Sequence, residues 1–512
     1  MLAAGQLLSC ACAERLSRTS AEASASQPYA NGHLRLERND WADDVKAALN
    51  DLLRLYGVDS GTPVEKSYAV FDFDNTCSIF DVEEQLAVYQ LQVMAFAVAP
   101  DELDEVLLTD LSDPARDLSS LGYGKGSLYD WVCDICSAYA ALWLRYGPFT
   151  PAGVPEDSIS DLWKDAQWQE FSAKMRALYS LIYDAQSSSV AYPWVTYWFT
   201  GMTEDEVYNL ALRAFAEYRD TETSVVTWTS PESIGSKTGI VSCRWVSGIQ
   251  VTENIRELWK ALDDNGIDVW VCSASCTGAI RAAIDTFGLH DYCSGMIAMT
   301  NRSDERGRYV ARYDAETGCG FYADKNGSWT RMSRPTKAQT QGAGKVTAIV
   351  NAISPEYGDH GPIAGFMDST GDFNFCTEFQ TLKLVVCFNR ANRKTTDGGG
   401  LIAEVAMYER DTLGYDLAKA NAAGDTLYVL QGRNENGKRT LRNSNRTVLL
   451  GREEDTLFAG PENEIQLQRM IEERMTVRAV LNTFAVRQAA GENGFDFSTG
   501  FLTEYAGYHS HR

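Results

Sequence analysis

Apolar residues Ile255, Leu258, Trp259 and Leu262 recur at helical spacing, stop at Gly266, and pass directly into Ile267-Asp268-Val269-Trp270-Val271-Cys272. The i, i+3, i+4, i+7 spacing specifies a helix with one buried face, and the near-continuous apolar run specifies a strand covered on both sides. Parallel strands need a crossover that covers a face, so a helix feeding straight into a buried strand is the building unit of a parallel sheet. The succession recurs. A helical lead-in from Asp40 to Tyr56 (Trp41, Val45, Leu49, Leu52, Leu53) precedes Tyr68-Ala69-Val70-Phe71, and Lys345–Ile353 precedes Pro362–Met367. The expected fold class is α/β, with a doubly wound, Rossmann-like parallel sheet.

Between these units, residues 85–248 read mostly as helices. One runs from Ser127 until Gly147-Pro148 stops it. Another opens on the capping box Thr203-Glu204-Asp205-Glu206 and carries Val207, Leu210, Ala214 and Phe215 on one face. From about 292 to 336 the pattern changes to short alternating runs broken by Arg306-Gly307 and Asn326-Gly327, which signal hairpins in a small β-rich insert. Beyond 400 there is a further hairpin signal at Asn436-Gly437 and a helix start near Pro461, with no recognisable chemistry. Residues 401–512 are therefore expected to be a C-terminal extension.

The chain has 512 residues, with 70 Asp and Glu against 46 Lys and Arg, a net charge of −24. Nucleic acid is excluded as a partner, since its phosphates would be repelled, whereas cations are drawn in. No run of about 18 apolar residues occurs, so no transmembrane helix is expected. Met1-Leu2-Ala3-Ala4-Gly5-Gln6-Leu7-Leu8-Ser9-Cys10 resembles the end of a bacterial lipoprotein signal, and the Ser/Ala-rich Ser17–Gln27 would suit a tether. Residues 1–35 are thus read either as a lipoprotein-like leader, with a lipid anchor at Cys10 and export to the periplasm, the cell surface or the medium, or as an ordinary disordered terminus of a protein that stays in the cytoplasm. Cys133 and Cys136 form a C-x-x-C inside an apolar helical stretch and are read as core thiols rather than a redox pair. His509 and His511 are read as tail.

Four short pieces carry the chemistry. Asp72-x-Asp74-x-Thr76 follows the first strand, Ser273 follows the second, Lys345 follows Gly342-Ala343-Gly344, and Asp368-Ser369-Thr370-Gly371-Asp372 follows the third. In open α/β sheets, sites form at the carboxyl ends of strands, so pieces distant in sequence can converge there. The set suits phosphoryl transfer. A carboxylate can attack phosphorus and hold it covalently. Paired acids facing a phosphate require a hard divalent ion between them, and Mg2+ suits few carboxylates plus a substrate oxygen. A hydroxyl and an ammonium can hold the remaining oxygens.

In its order and residue types the set resembles the haloacid dehalogenase superfamily. The string Tyr68-Ala-Val-Phe-Asp72-Phe-Asp74-Asn-Thr76, with Phe80-Asp81-Val82-Glu83-Glu84 and Tyr192-Pro193-Trp194-Val195, further resembles bacterial phosphorylcholine phosphatases, relatives of phosphoserine phosphatase. The resemblance covers about residues 40–390. It implies a catalytic core from 36–84 and 249–400, a helical cap from 85–248, and phosphomonoester hydrolysis through an aspartyl-phosphate. Asp72 would be the nucleophile and Asp74 the acid/base. Thr76, Ser273 and Lys345 would bind phosphate. Mg2+ would be held by Asp72, Asp74 (through its carbonyl), Asp368 and Asp372. Asp at position 74 argues against dehalogenases, which lack it, and against P-type ATPases, which carry Thr.

Three readings of function follow from these residues. The first is a phosphatase for a small phosphorylated metabolite such as phosphorylcholine, with Glu83, Glu84, Trp194 and Trp198 as substrate residues, since a quaternary ammonium is held by aromatic faces and a carboxylate. The second is a phosphatase for phosphoserine or another small phosphate, which would want an Arg or Lys at the substrate carboxylate. The third is an exported, non-catalytic binding or surface protein on the same scaffold. Oligomeric state is not legible in the sequence.

Overall fold

A computed structural model describes residues 35–58, 66–317, 320–392, 397–459 and 471–482. The 1–35 leader up to residue 34, Cys10, the helix near Pro461, His509 and His511 lie outside the described residues.

The strands of the central sheet are β1 (Ser67–Phe71), β2 (Ile267–Cys276), β3 (Gly295–Met299), β4 (Gly320–Ala323), β5 (Trp329–Arg331), β6 (Ala364–Met367), β7 (Leu384–Phe388) and β8 (Leu427–Gln431). Among the described residues they lie in the order β5-β4-β3-β2-β1-β6-β7-β8. The six from β3 to β8 are parallel, and β4 and β5 add an antiparallel hairpin at the β3 edge. The chain thus winds outward from β1 in both directions, as the apolar strand runs required. Burial on both faces explains why those runs lack alternation: every residue of β3, β6, β7 and β8 is buried.

Alternate residues cover opposite faces. Tyr68, Val70, Trp270, Cys272, Met367 and Val385 join one buried cluster with Val346, Phe373 and Leu401 from the helices beyond β3. Phe71 faces the other way, where its ring stacks on Phe366 at 3.8 Å and meets Trp259 of the helix Glu253–Asp264 at 5.4 Å. The lead-in helix spans Asp43–Tyr56 and packs against β7 and β8.

The chain between β1 and β2 builds a second hydrophobic core of its own. Its helices include Val82–Val93, Leu128–Tyr146, Ala166–Ala185, Ser188–Thr196 and Glu204–Tyr218. The helix expected at Ser127 starts there, capped by a Ser127/Asp130 box that the sequence reading did not single out, and the box expected at Thr203/Glu206 caps the last of them. The region is not wholly helical, however. Ser224–Thr229 pairs antiparallel with Ser242–Ser247.

Two further expectations need correction. The described part of 401–512 is not a separate extension, because β8 pairs along its length with β7 and the helix Gly398–Tyr408 contributes Leu401, Ile402 and Val405 to the main core. Cys133 is exposed and Cys136 half-buried, so they are not fully buried core thiols; both are free. No helix among the described residues is long and apolar enough to cross a membrane.

Candidate active site

The strand order reverses direction at β1 and β6, and ligands bind at such a switch point, outside the carboxyl ends of the strands. Asp72 follows β1 directly and its N–H still donates to Phe366 of β6 at 3.0 Å. Asp368 follows β6 directly. The two carboxylates are therefore neighbours because their strands are. Asp372 comes from the turn after Asp368 and is 2% exposed. Lys345 reaches the same point from the helix Ala343–Ala348. The preceding Gly342 adopts φ +52, which favours glycine, and donates its N–H to the Gly371 carbonyl at 2.7 Å. That bond ties the Lys345 loop to the Asp372 turn.

Oxygens of Asp72, Asp368 and Asp372 lie within 4.8 Å of one another, all buried. Lys345 Nζ sits 2.6 Å from both Asp72 Oδ1 and Asp372 Oδ1. Burial pushes the Asp72 carboxyl up, with Lys345 opposing, and pushes Asp372 up strongly, with Asp72 adding to the effect. Burial alone would lower Lys345, but Asp372 and Asp72 override it and hold the ammonium well above its ordinary value. Three hard oxygen ligands with a void beside them fit a divalent cation of the Mg2+ type.

The Asp74 side chain turns away from this group. Its Oδ1 accepts the Val82 N–H at 2.6 Å and its Oδ2 accepts the Ser275 hydroxyl at 2.5 Å. Burial, then Asp81 and Asp72, raise it well above the ordinary carboxylate range. Thr76 is buried beside Asp72. Ser273 is wholly buried; its Oγ accepts the Ser275 N–H at 3.0 Å and stands 3.4 Å from Asp74. Ser275, two residues on, lines the cavity that Ser273 was expected to line.

That cavity, about 110 Å³, is lined by Asp72, Asp74, Ser275, Lys345, Asp368 and Asp372. A larger one of about 460 Å³ adjoins it, and Asn75, Asp81, Glu83, Tyr179, Tyr192 and Arg390 line both. Trp198 borders the larger cavity but is 2% exposed. Trp194 borders neither. It is fully buried in the second core and donates its indole N–H to the Leu107 carbonyl at 2.9 Å, so it packs the insert rather than meeting a ligand. Glu84 is engaged by the Arg176 guanidinium. Glu83 accepts the Cys276 N–H at 3.0 Å, and burial, then Asp81, push its carboxyl up to about 8. Its environment thus favours the neutral form, which weakens it as a counter-charge for a cation.

The sequence did not single out Arg176, Arg390, Arg433, Tyr179 or Tyr192 as site residues. Arg390 Nη1 donates to Asp368 Oδ2 at 2.8 Å. Neither the Tyr179 nor the Tyr192 hydroxyl makes a hydrogen bond among the described residues, and burial holds both phenols up as O–H donors. Arg433, just past β8, donates to the Asn75 carbonyl at 2.8 Å and to its Oδ1 at 3.2 Å. Asn75 needs that clamp, since it adopts φ +62 in the turn that carries Asp74.

No known protein-family model matches the chain, and no curated protein matches it. A solved structure described as a conserved functionally unknown protein from Anaerococcus prevotii DSM 20548 is 24% identical. It aligns over 82% of this chain and 99% of its own with a TM-score of 0.65, which shows a shared fold. A protein with unknown function from Bordetella pertussis Tohama I is 13% identical over 63% of this chain and 89% of its own, with a TM-score of 0.29, too low to bear on the fold.

Proposed function

We propose that this chain is a Mg2+-dependent phosphomonoester hydrolase of the haloacid dehalogenase type, acting on a small phosphorylated metabolite through an aspartyl-phosphate on Asp72. One observation carries the reading: Asp72, Lys345, Asp368 and Asp372, far apart in sequence, meet in a single buried cavity at the switch point of the sheet. The insert between β1 and β2 is then the cap of such an enzyme, and its Tyr179 and Tyr192 line both cavities.

Asp72 Oδ attacks phosphorus in line with the departing alcohol oxygen, and the bond from phosphorus to that oxygen breaks. Asp74, protonated and held by Val82 and Ser275, gives its proton to the departing alkoxide. It then takes a proton from water as the water oxygen attacks phosphorus and the bond to Asp72 breaks. Such acid–base help contributes about 10²–10⁴-fold. Lys345 favours the charged form of Asp72, opposing the effect of burial, and holds Asp372 in place. Asp72, Asp368 and Asp372 would hold Mg2+, which when bound offsets the charge of the phosphate facing these acids.

For the leaving group, the aromatic faces of Phe80, Tyr179 and Tyr192 with the Asp81 carboxylate support phosphorylcholine. A second reading, a carboxylate-bearing ester such as phosphoserine, is favoured by a specific observation: Arg176 and Arg390 line the larger cavity. Phosphate release from both esters, with Mg2+ and after chelation, tests the proposal and ranks them. Asp72→Asn should abolish release while leaving the melting profile intact. Near-normal hydrolysis by that variant refutes the mechanism. Ligand binding by the wild type without Mg2+-dependent release selects a non-catalytic binding protein instead.

A further inference from the structure

The phosphatase reading leaves the phosphoryl anion short of a free cation. Lys345 is committed to two carboxylates, and Ser273 has no exposed surface. Arg390 is the cation with reach to spare. Its side chain is 39% exposed while that of its partner Asp368 is 4% exposed, it lines both cavities, and its Nε and Nη2 make no hydrogen bond among the described residues. Its backbone is fixed. The Asn389 side chain donates to the carbonyls of Asn445 at 2.8 Å and Leu457 at 3.2 Å, and its Oδ1 accepts the Ala391 N–H at 2.6 Å. What can move is the guanidinium.

Both oxygens of Asp368 are in use, Oδ1 by the Ser369 hydroxyl at 2.9 Å and Oδ2 by Arg390 at 2.8 Å. A hydroxyl can rotate aside. A guanidinium beside a divalent cation on the same buried carboxylate is repelled, because like charges interact strongly where water is excluded. Resting on the phosphatase reading, we propose that Arg390 is the anion-binding residue of the site. Its ion pair with Asp368 is the metal-free resting position, and commitment of Asp368 to a divalent cation frees the guanidinium for the phosphoester oxygens where the two cavities share their lining.

Two affinities of the full chain test this: Mg2+ by isothermal titration without substrate, and inorganic phosphate at saturating Mg2+. Both are measured for wild type, Arg390→Met and Arg390→Lys, with melting profiles to check folding. Arg390→Met should bind Mg2+ about tenfold more tightly and phosphate about tenfold more weakly, with Arg390→Lys between, since truncating one close charge pair shifts affinity by about a decade or more. Mg2+ affinity unchanged or weakened in Arg390→Met overturns the resting position. Unchanged phosphate affinity overturns the anion-binding role. A wild type that binds no Mg2+ sinks the phosphatase reading itself, and the proposal with it.

Discussion

Removing the guanidinium of Arg433 separates stability from catalysis. Its side chain is 2% exposed and that of its partner Glu435 8%, with Nη2 2.7 Å and Nε 3.1 Å from Glu435 Oε1. Arg433→Met leaves that carboxylate buried without its counter-charge, a change that costs about 3–5 kcal/mol. At about 2 cal/mol/K of unfolding entropy per residue, a chain of this length then melts about 4 °C lower. Arg433→Met with Glu435→Gln removes the orphaned charge, so most of that loss returns. What does not return is the pair of hydrogen bonds to Asn75, worth about 1 kcal/mol each in stability. Asn75 sits between Asp74 and Thr76 in a left-handed turn, and a shift of about 1 Å in a reacting group can cost about 10²-fold in rate. Melting by calorimetry and phosphate release at fixed Mg2+ should show the double variant melting about 2 °C below wild type but about a hundredfold down in kcat. Full recovery of kcat in the double variant refutes the clamp, and an unshifted melt in the single variant refutes the burial argument.

Other outcomes follow from single residues. Glu83 titrates at about 8 when folded against an ordinary 4.5, so between those values the folded chain binds more protons than the unfolded one. Its contribution to stability is complete below pH 4.5 and is lost as pH rises to about 8, by up to about 1.4 kcal/mol per unit. Glu83→Gln mimics the protonated form and should flatten that slope in denaturant titrations across pH; an unchanged slope refutes the assignment. Trp194→Ala should cost about 3–5 kcal/mol with KM for any hydrolysed ester unchanged in the folded fraction, and a rise in KM at unaltered stability would return Trp194 to the ligand.

The elements legible in the sequence are those whose local pattern and tertiary role agree. Tyr68 to Phe71 and Ile267 to Cys272 are apolar without alternation because both faces of the sheet are covered, and the capping box at Thr203 acts within one turn of chain. The antiparallel pair Ser224–Thr229 and Ser242–Ser247 was not legible. A long connection separates its strands where a two-residue turn would have announced them, and its first strand buries no residue fully. Trp194 misled for a related reason. An aromatic cluster reads alike whether it packs a core or lines a pocket, and which it does depends on helices such as Leu103–Leu108, whose Leu107 carbonyl takes its N–H.

The arginines of the site escaped notice because a lone Arg in a loop has no motif, yet topology places them by the same rule that placed the acids. Asp72 and Asp368 come one residue after β1 and β6, while Arg390 and Arg433 come two residues after β7 and β8. The carboxyl edge of the sheet therefore carries acids at the switch point and guanidinium groups on the two strands beyond it. Three buried carboxylates at the switch point repel one another, and Lys345 alone cannot neutralise them. The next strand outward is the nearest fixed backbone from which a second cation can reach Asp368, and β8 is the next from which the turn at Asn75 can be held. A segment that carries no chemistry of its own in sequence thus completes the site through its position in the sheet. Truncation before β8 would remove both Arg433 and the Asn445 and Leu457 carbonyls that anchor Asn389.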